Sequence, residues 1–403
     1  MSAYACEPNK GSEPGVGWNW AKHLAKYHEV WVITRTNNRD NIEAELKKED
    51  IGNITFVYYD VPKWLSFWKR GQRGVHLYYL LWQLGIYKIV KKLDEQYNFD
   101  LIHHVTFNEF RTPGFLFYLN KPFIWGPIGG GQFFDEKFRD IFGNWKVVFK
   151  ERIRNLINKL SIKSPIVNDA LKKAVYVLVA DPSTYSILPK KYEHKYIKML
   201  ETGIAPRREF QKEYNHQRLN LLWVGNIIPR KGLPLILHAL ANLKDSYDIK
   251  LTVVGDGSDK LRCQELAKKL GIQMKVDFVG KLNYLDVQKI YNQADVFIFT
   301  SLRDTSGNVV LEAMNNKLPV IALNHHGVSE MVTPDCGIKI EVQSVEQIVK
   351  DLSEAIKLFY HNRELLSQMG NKGYERIKQV YDWGKKAEEM SKIYQKAMSI
   401  GQK

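Results

Sequence analysis

The stretch ADVFIFTSLRDTSGNVVLEAMNNKLPVIAL, residues Ala294 to Leu323, decides how this chain is read. The run VFIFTS at 296–301 is continuous, apolar and β-rich, so it predicts a strand buried on both faces. Leu302 to Ser306 is a polar loop, and a helix is expected to open at Gly307 or Asn308. PVIAL at 319–323 predicts the next strand. Strand, loop, helix and strand in that order form the unit of a parallel sheet covered by helices. Asp304 stands in the loop, and Glu312 lies about one turn inside the helix. Two acids so placed can bracket one polar ligand, and the unbonded N–H groups of a helix start attract phosphate. The same letters also describe a capped surface helix with two solvated acids.

The alternation continues outward on both sides. Strands are expected at 220–225, 249–255 and 276–280, with helices at 232–243, 258–270 and 284–292. Toward the amino terminus, strands are expected at 28–35, 54–60, 101–106, 122–126 and 176–181. The pattern pauses at 132–175, which reads as basic helix and loop. It pauses again at Glu201-Thr202-Gly203-Ile204-Ala205-Pro206, where Gly and Pro mark a domain boundary. After 345 only helix is expected. The fold class is therefore α/β, with two doubly wound Rossmann-like domains facing a cleft, at 1–203 and 204–380, and a closing helix at 381–403. A chain of 403 residues suits two such cores.

Composition narrows the class. Hydrophobic residues make up 44% and charged residues 26%, the balance of a globular protein. Cys6, Cys263 and Cys336 show neither disulfide nor zinc spacing. No apolar run approaches the roughly 20 residues of a membrane span, and no secretory signal opens the chain. A cytoplasmic protein is expected. The net charge of +15 is weighted toward the first half. That excess suits nucleic acid, an anionic membrane surface or a phosphorylated substrate.

In doubly wound sheets ligands sit beyond the carboxyl ends of the strands, so the loops there carry the chemistry. Gly225-Asn226-Ile227-Ile228-Pro229-Arg230-Lys231-Gly232-Leu233 places two cations before a helix start, fit either for a diphosphate or for a solvated turn. Gly255-Asp256-Gly257-Ser258 lets backbone come close to a ligand. Lys260 occupies the third-glycine place of a dinucleotide fingerprint there, and Trp20 does so after Gly15-Val16-Gly17, which argues against a nicotinamide dehydrogenase. Gly11 to Gly17 is expected to be a glycine-rich loop leading into a helix. His103-His104 end a strand before Thr106, Phe107 and Asn108, and serve either a substrate or the core. Gly126-Pro127-Ile128-Gly129-Gly130-Gly131 is expected to be a mobile loop. Aromatics and cations mingle in Trp64-Leu65-Ser66-Phe67-Trp68-Lys69-Arg70 and again at Tyr78, Tyr79, Trp82, Lys88, Lys91 and Lys92. This region is read either as a seat on an anionic membrane or as a core-facing helix with a basic outer face.

Taken together, these motifs resemble the retaining glycosyltransferase family 4, the glycosyltransferases group 1 of GT-B fold. The resemblance is closest from Leu219 to Val342, and weaker from Cys6 to Arg35 and from Asp100 to Gly131. It implies a sugar transferred from a nucleoside diphosphate sugar to an acceptor hydroxyl, with retained configuration, in cell-surface polysaccharide or glycolipid synthesis. Residues 1–203 become the acceptor side, 204–380 the donor side, and the helix after Trp383 packs back on the first domain. Glu312 would bind the ribose, Asp304 the transferred sugar, and Lys231 with Arg230 the diphosphate. Gly307, Asn308 and Val309 would offer helix-start N–H groups, Gly255 and Gly257 a close backbone, and Val279 the base contact. Gly15, Val16 and Gly17 would approach the phosphates, and His104 would lie near sugar or acceptor.

Neither a metal nor a cofactor beyond the donor is expected. The expected partners are the donor, a glycan or lipid-linked acceptor and the inner face of a membrane, but no nucleic acid. Asp304 stands where Glu is usual, and Asn226 where Arg is common. The strand before Gly15 is nearly absent, so a truncated or misassigned start is expected. The alternatives are an epimerase or phosphorylase of the same architecture, or an inactive glycan-binding homologue.

Overall fold

The computed structural model describes residues 1–71, 73–107, 109–214, 217–243 and 247–401. The chain divides into two compact units. The first comprises Met1–Gly131, Asn158–Gly203 and Trp383–Lys403; the second comprises Gln132–Ile157 and Ile204–Asp382.

In the first unit, β1 (Val30–Thr34), β2 (Ile54–Tyr58), β3 (Ile102–His104), β4 (Phe123–Ile128), β5 (Tyr176–Val179) and β6 (Tyr196–Lys198) are all parallel to their partners. β1 pairs with β2, and the order β3-β4-β5-β6 forms the rest. The residues before Gly15 join the two parts. Ser2 bridges both Ile33 and His104, and its N–H donates to His103 O at 2.8 Å while Ala3 N–H donates to Ile33 O at 2.9 Å. A very short central strand therefore exists where the sequence promised almost none. Beside it, at the strand ends away from the candidate loops, lies a cavity of about 270 Å³ lined by Met1, Val30, Leu101 and Tyr394 among others.

The helix Trp383–Gly401 belongs to this unit. Trp383, Ala387, Met390 and Tyr394 share one buried cluster with Val16, Trp20 and Leu24 of the helix Ser12–Leu24. Trp20 is fully buried, meets the Trp383 ring edge-on at 5.4 Å, and donates its indole N–H to Glu201 O at 2.9 Å. Such an acceptor offsets the cost of burying the indole N–H.

The second unit has one parallel sheet in the order β12-β11-β10-β7-β8-β9. Its strands are β7 (Leu219–Val224), β8 (Ile249–Val254), β9 (Val276–Gly280), β10 (Val296–Phe299), β11 (Val320–Leu323) and β12 (Gly337–Ile340). The central strands are buried on both faces, which explains their unbroken apolar runs. β6 and β12 lie outside the expected strand set; both are short edge strands carrying Lys198 and Lys339.

The expected boundary also needs correction. Residues 132–157 fall in the second unit, because Phe134, Phe138, Ile141, Phe142 and Val148 are buried in one cluster with Leu221, Trp223 and Leu251. Each such side chain contributes roughly 1.5–3 kcal/mol when buried. No described helix is long and apolar enough to cross a membrane.

Candidate functional site

The strand order of the second unit reverses between β7 and β10, and crevices at such switch points hold ligands in open α/β sheets. Two loops meet there. After β7 the chain runs through a short helical turn, Pro229–Lys231, to Gly232 in a left-handed conformation (φ +65°). A Cβ on Gly232 would lie 2.2 Å from Thr300 O, so only glycine lets this turn rest against the end of β10. Leu302 N–H donates to Arg230 O at 2.8 Å, and Thr300 Oγ1 donates to Lys231 O at 3.1 Å. The two loops are thus tied by one backbone and one side-chain hydrogen bond.

This places the side chains. The Lys231 ammonium is ion-paired with the Asp304 carboxylate. Arg230 Nη1 donates to Arg303 O at 2.7 Å and lies 3.6 Å from Asp304 Oδ1. Burial pulls the Lys231 pKa below the usual lysine range, and the Asp304 charge opposes that pull. Arg303, also lowered by burial, donates from Nη2 to Glu151 Oε1 at 2.8 Å. The helix Asn308–Asn315 begins directly after this loop, with Gly307 as its N-cap residue. A Cβ on Gly307 would sit 2.9 Å from the Phe299 ring.

Glu312 joins a different set. Its Oε2 accepts from the Tyr291 hydroxyl at 3.0 Å, and burial raises its pKa against the opposing effect of that hydrogen bond. The structure therefore brings Lys231, Arg230 and Asp304 together and leaves Glu312 paired separately with Tyr291. Val279, at the end of β9, is exposed.

Gly255 and Gly257 need a corrected reason. A Cβ on Gly255 (φ +138°) would lie 1.9 Å from Gly225 O, and one on Gly257 would lie 2.3 Å from Ile227 O. These glycines let the loops after β7 and β8 lie backbone to backbone, with Ile227 N–H donating to Asp256 O at 2.8 Å. Close approach to another loop accounts for them without a ligand.

Sequence reasoning missed His325 and His326. They follow β11, stack at 4.0 Å between ring centroids, and face Ser301 O (2.8 Å) and Leu302 O (3.3 Å) through Nε2. Burial holds His326 at about 3, so it is neutral at pH 7. Gly327 N–H donates to Thr305 O at 3.0 Å. The search for chemistry in loops after strands, applied to 319–323, would have found this clamp on the Asp304 loop.

In the first unit the glycine-rich stretch is not a loop. The helix opens at Ser12, so Gly15, Val16 and Gly17 lie inside it and are buried. A Cβ on Gly15 would meet Lys10 O at 2.0 Å, and one on Gly17 would meet Ala5 O at 2.1 Å. They are small so that the helix can press against the segment before it. His104 is 1% exposed, lies within 2.9 Å of the Tyr79 hydroxyl through Nε2, and is held at about 4 by burial. His103 is held at about 3 by burial, between Gly126 O and the Tyr394 hydroxyl. Gly131 N–H is tied to Thr184 Oγ1 at 3.0 Å. Asn108 lies outside the described residues. Of the aromatic and basic stretch, Trp64 and Phe67 are exposed, whereas Tyr78, Tyr79 and Trp82 are core residues. Among the described residues, no three His, Cys, Asp or Glu side chains cluster to hold a metal ion.

Residues 206–376 match the model of the family described as glycosyl transferases group 1. An uncharacterized glycosyltransferase of Methanocaldococcus jannaschii is 25% identical over 181 residues, 45% of each protein. The chain thus spans about half the length of the curated relatives it matches. Among solved structures, the lipopolysaccharide outer core galactosyltransferase WaaB in its apo form aligns with TM-score 0.66 at 14% identity, covering 98% of each chain. Anabaena HepE, solved in complex with UDP, aligns with TM-score 0.63 at 13% identity, covering 96% of this chain and 98% of that one. These likenesses show the fold, the two-domain α/β architecture of GT-B glycosyltransferases.

Proposed function

We propose that this chain, whose second unit carries the group 1 glycosyl transferase match, transfers a sugar from a nucleoside diphosphate sugar to an acceptor hydroxyl with retained anomeric configuration. The observation that carries the reading is the Lys231–Asp304 pair at the switch point, directly before the helix start at Gly307. UDP in the HepE complex, and the lipopolysaccharide core named for WaaB, agree with a diphosphate donor and a glycan acceptor.

The barrier lies in breaking the bond from the anomeric carbon to the diphosphate oxygen, with positive charge growing on the ring and negative charge on the phosphate. Lys231, Arg230 and the N–H groups opening the helix Asn308–Asn315 stabilise the phosphate side. Asp304, held by Lys231, offers a carboxylate to the sugar hydroxyls. Glu312, fixed by Tyr291, accepts from the ribose. The acceptor oxygen bonds to the anomeric carbon on the face the phosphate leaves, and its proton passes to the departing phosphate oxygen. His104, neutral at pH 7, moves no proton in this scheme. Catalysis in this reading needs no metal, so a chelator should leave turnover unchanged.

The test is a panel of nucleotide sugars, first for thermal stabilisation and then for transfer to glycan and lipid-linked acceptors, with the product anomer read by NMR. One donor should stabilise the fold and yield a retained linkage. Absence of stabilisation across the panel, or an inverted product, would overturn the proposal.

A further inference from the structure

The helix Trp145–Ser161 turns most of its large apolar side chains outward. Its inner face mixes Val147 and Val148, packed on the core, with polar groups: Glu151 bonded to Arg303, and Asn155, whose amide exchanges hydrogen bonds with the Phe134 backbone at 2.8 and 2.9 Å. Its outer face carries Trp145, Phe149, Ile153, Leu156, Ile157 and Leu160, which are 42% to 73% exposed. At about 100° per residue these side chains fall within one arc of roughly 120°. Lys150 borders one edge of that stripe, with Lys146 just inside it; Lys159 and Arg152, the latter paired with Glu136, border the other, and all four are exposed. Glu151, the single acid in the helix, is turned inward. Scattered surface leucines need no explanation, but a continuous stripe does.

We propose that this helix seats the protein on an anionic lipid surface, lying in the plane of the interface with the stripe among the acyl chains. Lysine and arginine stems bordering an apolar arc carry their charges up to the headgroups, the arrangement of interfacial helices. A second copy fits less well. Both borders of the stripe are basic, so a symmetric pairing would set cation against cation. Nucleic acid would leave the isoleucines and leucines without a partner. The inner face of the same helix bonds Arg303, the residue before Asp304, so the surface that meets lipid also braces the candidate site loop. This seat differs from the Trp64–Arg70 stretch and does not depend on the glycosyl transfer reading.

Flotation with phosphatidylglycerol/phosphatidylcholine vesicles, compared with phosphatidylcholine alone, tests it. The intact protein should float with the anionic vesicles only, and less at high salt. Phe149→Glu/Ile153→Glu should lower the bound fraction at least tenfold with an unchanged melting temperature. If that variant melts early, Lys146→Glu/Lys150→Glu, on exposed positions, should show the same loss. Three results would each overturn the proposal: no flotation of the intact protein; undiminished flotation of the folded helix variants, including the case in which Trp64→Ser/Phe67→Ser abolishes it instead; or self-association in lipid-free solution that the helix variants remove.

Discussion

The two units share a strand order and differ in what fills the place where that order reverses. In the second unit the reversal lies between β7 and β10, and Lys231, Arg230 and Asp304 meet there. In the first unit it lies between the short central strand at Ser2 and β3, and the side chains there are mainly aromatic. Tyr79 stacks on Phe107 at 3.9 Å and meets Tyr4 edge-on at 5.2 Å, while His104 is engaged by Tyr79. Topology opens a crevice in both units; the second gathers Lys231 and Arg230 around Asp304, whereas in the first Arg35 lies over the Tyr4 and Tyr78 rings and is paired with Asp60 at 2.8 Å. A helix start rich in glycine is likewise not enough. Gly15 and Gly17 serve packing against Lys10 and Ala5, whereas Gly307 caps a helix beside an ion pair.

The largest effect should come from Lys231→Ala, which removes the buried cation opposite Asp304. Turnover should fall by about 10²–10³, as when a preorganised stabiliser of developing charge is lost. Steady-state kinetics with the donor found in the panel reads this directly, and near-normal turnover would break the contrast between the units. Next comes Glu312→Gln, which keeps shape and removes a charged acceptor. The donor KM should rise by about tenfold to a hundredfold, the worth of a hydrogen bond to a charged group, with a smaller change in kcat. Equal losses in kcat and kcat/KM would move Glu312 from binding to the reaction step.

A smaller effect, on stability, is expected in the first unit. Gly15→Ala drives a methyl against Lys10 O, so the fold should lose about 1–3 kcal/mol, read as a lower denaturation midpoint. Nucleoside diphosphate affinity, measured below that midpoint, should stay within a factor of two or so. The last effect is one of pH and is shared by both units. His103 and His104 are held at about 3 and about 4 by burial, and His326 at about 3. An unfolded histidine titrates near 6.5, so below that pH the unfolded chain binds more protons than the folded one. Stability should therefore fall as pH drops from about 6.5 toward 4, and a melting temperature independent of pH in that window would contradict the buried neutral histidines.

Much of the fold was legible because buried parallel strands announce themselves. VFIFTS and IKLTVVG are short, rich in β-branched or aromatic residues and flanked by turn residues, which favours buried strand over buried helix. β6 and β12 were not legible, since an edge strand ending in Tyr-Ile-Lys or Gly-Ile-Lys-Ile carries little of that signal. Residues 132–157 were assigned to the wrong unit because periodicity tells which face is apolar, not which core receives it. In the helix Trp145–Ser161 the larger apolar face is the outer one, and only Val147 and Val148 turn to the core. The site was legible loop by loop. Its central pair was not, because Lys231 and Asp304 are 73 positions apart and only the strand order brings them together.

The central claim is that the charged crevice of the second unit, rather than the glycine-rich helix of the first, holds the donor diphosphate. Calorimetric titration of UDP and the other nucleoside diphosphates into the intact protein, Lys231→Ala and Gly15→Ala tests it most directly. Lys231→Ala should weaken the best ligand at least tenfold, while folded Gly15→Ala binds it as the intact protein does. Unchanged affinity in Lys231→Ala together with a tenfold loss in Gly15→Ala would contradict the account.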